Sequence, residues 1–467
     1  MTKHRLRALS VIAAMALVSI ACGQKPGVHE QLANTGATND LGAGTTSGTT
    51  ATGGTTADSA NGGTDAGSSP SDTGPEAPAD GGGGAPAPVP SGPQDRTGVT
   101  ADAITIGIHA PVTGAAPFPA EAFALGREVY WKWSGAPKIH NRTVKVLFED
   151  DQYSPVTARD RCRKMAEQQN SFLLIGGGGT DQIQACGQYA ASKGIPYLSP
   201  GVTEIGLDNL PNYFAFSMTY AQQAELLWQM IMKDSRLSPN SSNVAMIRTD
   251  TPNFDDAHDA FVSAAEKNGK TLVLDRTLPK NPSQTDYNSA AQQLASSGAQ
   301  IVHILVAPTH YVLLTAQLPS GYRPWWIGGG ITMGLNAILE TGCSTSQNAM
   351  DKGLFFSPIP GLDKIDSIDP NYRKAYREVN GGAEPDDIGL ILWGLNKTLH
   401  QMFDKAGQSL SRQSFISSVQ SSSFETKLYP PQKYSPQNHL GGTQVHLLKA
   451  DCGASQYRTE KTFVSGF

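Results

Sequence analysis

The sequence predicts an α/β fold of two lobes, each a parallel sheet covered by helices, with a ligand site in the cleft between them. Two observations carry this expectation. From residue 98 onward the hydrophobic period switches repeatedly between that of a strand and that of a helix. That region spans about 370 residues, too long for one ordinary core and suited to two. Repeated βα units of this size require parallel sheets with helices on both faces, and such sheets bind ligands at the carboxyl ends of their strands.

The elements follow in order. Ile104–His109 is a short β-branched run, and residues 120–133 carry Phe123, Val129, Tyr130 and Trp133 at helical intervals. Residues 143–148 return to strand alternation. Pro155 opens a helix to about Gln169, because its missing N–H costs nothing in a first turn. Strands are expected at 172–175 and 195–199, with a helix at 181–193 between them. A helix at 220–237 places Leu226, Leu227, Met230 and Ile231 on one side. Beyond it the pattern reads strand 243–248, helix 255–268, strand 271–275, helix 287–297, strand 301–306, helix 311–317 and strand 325–328.

The N-terminus has a different character. Lys3, His4, Arg5 and Arg7 precede an apolar run from Leu9 to Ala21, too short to span a bilayer and of the length of a signal h-region. Residues 1–21 are therefore expected to be a signal peptide. Ser19-Ile20-Ala21 before Cys22 resembles a bacterial lipobox, in which the cysteine is lipidated and holds the protein to the outer face of the cell membrane. An ordinary signal peptide with an incidental cysteine is the alternative. Residues 22–97 are mostly Gly, Thr, Ser, Ala, Pro and Asp, too poor in apolar surface to offset their ordering entropy. They are expected to be a disordered tether, and an O-glycosylated stalk is compatible with the same composition.

A net charge of −5 and the absence of Lys/Arg clusters in the folded region argue against nucleic acid as a partner. Four cysteines remain after Cys22. An even number in an exported chain suggests disulfides, and three pairings are open. A metal site competes, but no Cys-x-x-Cys occurs and no histidine lies at ligand spacing beside a cysteine, so neither a metal nor a cofactor is expected.

The segment from Gly98 reads Gly-Val-Thr-Ala-Asp-Ala-Ile-Thr-Ile-Gly-Ile-His-Ala-Pro-Val-Thr-Gly. It is followed by Leu174-Ile175-Gly176-Gly177-Gly178-Gly179-Thr180 and by Ile195-Pro196-Tyr197-Leu198-Ser199-Pro200-Gly201-Val202-Thr203. In order and spacing, across residues 98 to 467, these motifs resemble the type I periplasmic binding proteins of the leucine/isoleucine/valine-binding family. These are extracytoplasmic receptors of ABC transporters. The resemblance implies two Rossmann-like lobes joined by a three-crossing hinge: lobe one at 98–221 and 356–441, lobe two at 222–355 and 442–467. It also implies the pairing Cys162–Cys186 within lobe one and Cys343–Cys452 within lobe two, since neither bond then crosses the hinge.

In that family lobe one grips a ligand carboxylate through positions that match Thr180, Gly201 and Thr203. The glycine-rich turn ending at Gly179, ahead of a helix N-terminus, suits an anion, although such a run can also be only a tight strand-to-helix turn. Lobe two departs from the pattern of amino-acid binders. Phe254 stands where a tyrosine is usual, and Gly330 where a carboxylate would meet the ligand's ammonium. Burying an ammonium without a counter-charge is costly. With Phe118, and with Tyr153, His310 and Trp326 as further aromatic candidates, the expected ligand is a carboxylate with an apolar or aromatic body; Asp250 or Asp255 supplying the missing charge would restore a branched-chain amino acid.

The expected partners are therefore a small-molecule ligand and a membrane permease, with the chain a lipid-anchored monomer. No Gly-x-Ser-x-Gly surrounds Ser199 and no His-Glu-x-x-His occurs, so catalysis is not expected. A ligand-sensing receptor without transport would use the same cleft closure.

Overall fold

A computed structural model of the chain describes residues 94–330 and 333–467. The signal segment, Cys22 and the low-complexity stretch to residue 93 lie outside the described residues. Among the described residues no helix is long and apolar enough to cross a membrane.

Two sheets organise the described chain. The first is wholly parallel, ordered β2-β1-β3-β4-β5, from β1 (Ala103–Ala110), β2 (Thr143–Asp150), β3 (Leu173–Gly176), β4 (Tyr197–Ser199) and β5 (Tyr213–Ala215). The second is ordered β14-β13-β10-β9-β8-β6-β7. Its parallel part comprises β6 (Val244–Thr249), β7 (Leu274–Leu278), β8 (Ile301–Leu305), β9 (Trp325–Gly329) and β10 (Gly353–Ser357). An antiparallel hairpin of β13 (Val445–Asp451) and β14 (Gln456–Val464) extends it, and β11 (Ser423–Phe424) and β12 (Gln432–Lys433) form a separate two-stranded ribbon. Strands β1, β3, β8 and β10 are buried almost throughout, as expected of strands covered on both faces.

The chain passes between the lobes three times: from β5 to the helix Tyr220–Lys233, from β10 to the helices beginning at Ile365, and from the bridge of Leu440 with Ala215 into β13. The long helix Asp387–Ala406 belongs to the first lobe. Trp131 Nε1 donates to its Asn396 Oδ1 (2.9 Å), and the buried Arg412 just beyond donates to the Ser171 and Phe172 carbonyls (2.6 and 2.9 Å). At the crossings the backbones touch. A Cβ on Gly201 would collide with the Ser217 and Met218 carbonyls, and one on Gly442 with the same two residues from the other side.

Most expected elements are present, and the departures have local causes. The expected helix 120–133 is two, Ala120–Gly126 and Val129–Lys132. Gly126 lies so close to Gly389 that a Cβ would come within 2.6 Å of its Cα. The helix from Pro155 is capped by Ser154, whose hydroxyl accepts from Thr157 N, and its last turn is a π-helix at Lys164–Gln168. The strand expected at 271–275 is β7, three residues later. Strand β5 and the elements after residue 330, including the parallel strand β10, lie beyond what the periodicity predicts.

Both disulfides join the cysteines as the resemblance implies, Cys162 with Cys186 and Cys343 with Cys452. His109, Cys162 and Cys186 lie close enough together to hold a metal, but both thiols are spent in the disulfide.

Candidate ligand-binding cleft

The cleft lies where the carboxyl ends of the two sheets face each other and encloses about 880 Å³ open to solvent. From the first sheet come Phe118 after β1, Tyr153 after β2, Gly178 to Gln182 after β3, and Pro200 and Val202 after β4. From the second come Thr249, Thr251 and Phe254 after β6, Lys280 after β7, Val306 to Pro308 after β8, and Gly329 and Met333 after β9.

One corner is rich in unpaired hydrogen-bond donors. The helix Thr180–Ser192 starts at the cleft with Gly179 as N-cap and no side-chain cap, which leaves the N–H groups of Thr180, Asp181 and Gln182 without intrahelical partners. Gln182 is 1 % exposed, lines the cleft, and its Nε2 has no hydrogen-bond partner among the described residues. A buried donor of this kind is costly unless something accepts from it. Its Oε1 lies over Gly179, where a Cβ would collide with it, so the glycine is needed for the amide to fold back. Lys280 reaches in from the second lobe and pairs with Asp181. Burial lowers its pKa.

Asp181 itself is occupied. Beyond Lys280 it accepts from Thr251 Oγ1 (3.0 Å) and Asn253 Nδ2 (2.9 Å), all three from the second lobe. A second interlobe latch is built on Asp256, which accepts from Thr203 Oγ1 (3.0 Å) and from Glu204 N (2.6 Å). Burial raises the Asp256 pKa.

The opposite wall is aromatic. Tyr220 and Phe254 pack edge to face, with ring centroids 5.8 Å apart, and Phe118 and Tyr153 face them from the first lobe. Tyr153 is held in the left-handed region (φ 55°), with its N–H on Asp151 Oδ1 (3.0 Å). Asp151 Oδ2 in turn bonds His109 Nδ1 (2.8 Å), and His109 Nε2 bonds Tyr197 OH (2.8 Å), all fully buried. This network positions Tyr153. Ser199 bonds Tyr213 OH (2.8 Å) instead of His109, so the buried imidazole activates no serine. Burial pushes the Tyr153 and Tyr220 hydroxyls up to about 12, so both face a ligand as neutral groups.

Of the residues singled out from sequence, Thr180, Gly179, Phe118 and Phe254 line the cleft, as does Tyr153. Gly201, Thr203 and Gly330 are not among its lining residues. The Gly201 N–H is taken by Ser217 Oγ (3.0 Å), Thr203 is committed to Asp256, and Gly330 (φ 116°) sits against the Tyr220 ring. His310 bonds Tyr287 OH (2.7 Å), and Trp326 donates to the Ala349 carbonyl (2.9 Å) deep in the second lobe; both are core. Asp250 and Asp255 are exposed and absent from the lining.

Gln182 and Lys280 were not anticipated. The three-residue offset in β7 hid Lys280 from any reading of strand ends, and a lone lysine in Leu278-Pro279-Lys280-Asn281 has no motif. Gln182 becomes visible only once the helix is known to begin at Thr180 with the third residue turned back on Gly179.

A carboxyl behind the cleft governs pH dependence. Asp387, buried at the start of the helix Asp387–Ala406, accepts from the Asn336 N–H of the second lobe. Burial pushes its pKa up to about 7, aided by the neighbouring charge of Asp386. A carboxyl whose folded pKa lies above its unfolded value of 3.8 favours folding at low pH, and that contribution is lost as pH rises to about 7. Wild type should therefore lose roughly 2 to 3 kcal/mol between pH 5 and pH 8 through this group, at about 1.4 kcal/mol per pH unit up to its folded pKa. Asp387→Asn keeps an acceptor for Asn336 and should remove that loss. Urea unfolding of both proteins at the two pH values checks it; equal pH differences in the two would refute the assignment.

A family model described as "Periplasmic binding protein" matches residues 103–456. No curated protein sequence matches the chain at a significant level. Several solved structures share its fold. A solute-binding protein of an ABC transporter from Rhodopseudomonas palustris BisB5, in complex with 3,4-dihydroxybenzoic acid, superposes with a TM-score of 0.65 at 16% identity, covering 78% of this chain and 98% of its own. Another R. palustris solute-binding protein, in complex with 4-hydroxybenzoate, gives 0.62 at 16%, covering 78% and 96%. A leucine-binding protein from Thermotoga maritima MSB8 gives 0.63 at 12%, covering 76% and 97%.

Proposed function

Because this chain belongs to the periplasmic binding protein family, an extracytoplasmic family of small-molecule receptors, we propose that its cleft captures a carboxylate with an apolar or aromatic body and presents it to an ABC transporter permease. The observation that carries this reading is the arrangement of the cleft: a corner of unpaired hydrogen-bond donors beside aromatic side chains. The corner combines the N–H groups at Thr180–Gln182 with the orphaned Gln182 amide, and such a set suits a carboxylate. The wall of Phe118, Tyr153, Tyr220 and Phe254 receives the body.

A free amino acid would need an anion for its ammonium. The one cleft carboxylate, Asp181, is engaged by Lys280, Thr251 and Asn253, which favours a ligand without the ammonium. Two of the structures that share the fold are named for complexes with hydroxybenzoic acids, which supports the same class. In this proposal the chain is a monomer, tethered at Cys22, whose lobes close on the ligand by hinge rotation.

Thermal unfolding of the full chain against benzoates and branched aliphatic carboxylates, their primary amides, and leucine, isoleucine and valine tests the reading. Carboxylates should raise the melting temperature by mass action, and the matching amides should not. A shift with leucine and none with any carboxylate would overturn it.

A further inference from the structure

Beneath the glycine-rich turn lies a second pocket that adjoins the first and is open to solvent. Its floor is the carboxyl end of β1 and β3, and its far wall is Ile388, Ile391, Leu392 and Leu395 of the helix Asp387–Ala406. The lining is apolar apart from the His109 ring, whose two nitrogens are already bonded to Asp151 and Tyr197. Phe118, Gly178, Pro200 and Leu335 line both this chamber and the cleft, so the two adjoin, with the Phe118 ring, packed on Gly178, standing between them.

The glycines of the turn separate by cause. Gly176 is required because a Cβ would collide with Tyr197 OH and come within 2.7 Å of His109 Nε2. Gly178 is required by its positive φ (98°) and by Phe118, whose Cζ a Cβ would approach to 2.7 Å. Gly177 has neither reason: its φ is ordinary, and a Cβ built on it meets nothing within 4 Å. It lines the chamber and not the cleft. Gly177 is half-buried, and neither a clash nor its backbone conformation calls for glycine there.

We propose that this chamber is a ligand subsite that takes an apolar tail. The ligand would then be a carboxylate whose hydrocarbon body extends from the donor-rich corner, past Phe118, and under the Gly176–Gly178 turn. This inference rests on the carboxylate reading of the cleft. A saturated or aryl-terminated chain of about eight carbons suits it better than a compact acid, because each methylene buried in an apolar site is a gain of about fourfold in affinity.

The test is calorimetric titration of the full chain with butyrate, octanoate and octan-1-ol. Wild type should bind octanoate at least about tenfold more tightly than butyrate. Gly177→Phe fills the chamber without backbone strain and should abolish that preference while leaving butyrate within about twofold. Ile391→Trp, from the opposite wall, should do the same, and melting temperatures close to wild type establish that both variants fold. If butyrate and octanoate bind equally to wild type, or if both folded variants keep the octanoate preference, the chamber is not a subsite and the cleft reading stands. If octan-1-ol binds and is lost on filling the chamber while neither acid binds, the chamber stands and the carboxylate reading fails. If none of the three binds, both fail.

Discussion

Replacing Thr180 and Gln182 together with alanine is expected to weaken carboxylate binding by at least about 30-fold, with the fold intact. Each side chain should cost roughly 1 to 3 kcal/mol when a buried acceptor loses its donor, and the two, on one helical turn, need not add in full. Gln182 contributes in a second way. Its buried Nε2 lacks a partner within the described protein, so its substitution relieves a cost that a bound acceptor would otherwise remove. The double variant should accordingly match or exceed wild type in stability without ligand and gain less from ligand. Calorimetric titration with whichever acid stabilises the wild type decides this. Unchanged affinity would place the carboxylate elsewhere in the cleft.

Removing the Cys343–Cys452 disulfide is expected to cost about 4 to 5 kcal/mol of stability. The bond closes a loop with a sequence separation of 109, and chain entropy alone gives about 4.7 kcal/mol for a loop near 100 residues. It ties the helix Asn336–Thr345 to the turn between β13 and β14, where the second sheet changes from parallel to antiparallel and its last two strands have no crossover helix to hold them. Urea unfolding of Cys343→Ala/Cys452→Ala against wild type measures the loss. A change below about 1 kcal/mol would mean that the hairpin is held by its packing alone.

The parallel part of the fold was legible because its strands and helices alternate with strong periodicity up to about residue 330. Strand β5 escaped because Tyr213–Ala215 is three residues long with no alternation to read, and the antiparallel hairpin because β14 is largely exposed and polar. In the cleft, Thr180 and Phe254 come from the family resemblance, and the structure places each in the stretch after a parallel strand, β3 and β6, among the lining residues. Thr203 was chosen as a ligand hydroxyl, yet its partner is Asp256, 53 residues away on a helix of the other lobe. No local pattern records a contact of that range. Lys280 illustrates the same limit from the other side: a boundary error of one short strand moves a charge from a connecting loop to the mouth of a site.

The contact of Gly201 and Gly442 with Ser217 and Met218 has a mechanical meaning. Where side chains separate two backbones, the gap can be taken up by rotamer changes and the segments can slide. Here peptide rests on peptide, with no rotamer between them. The crossing segments are therefore bound like the spine of a book: they can flex together but cannot slide along one another.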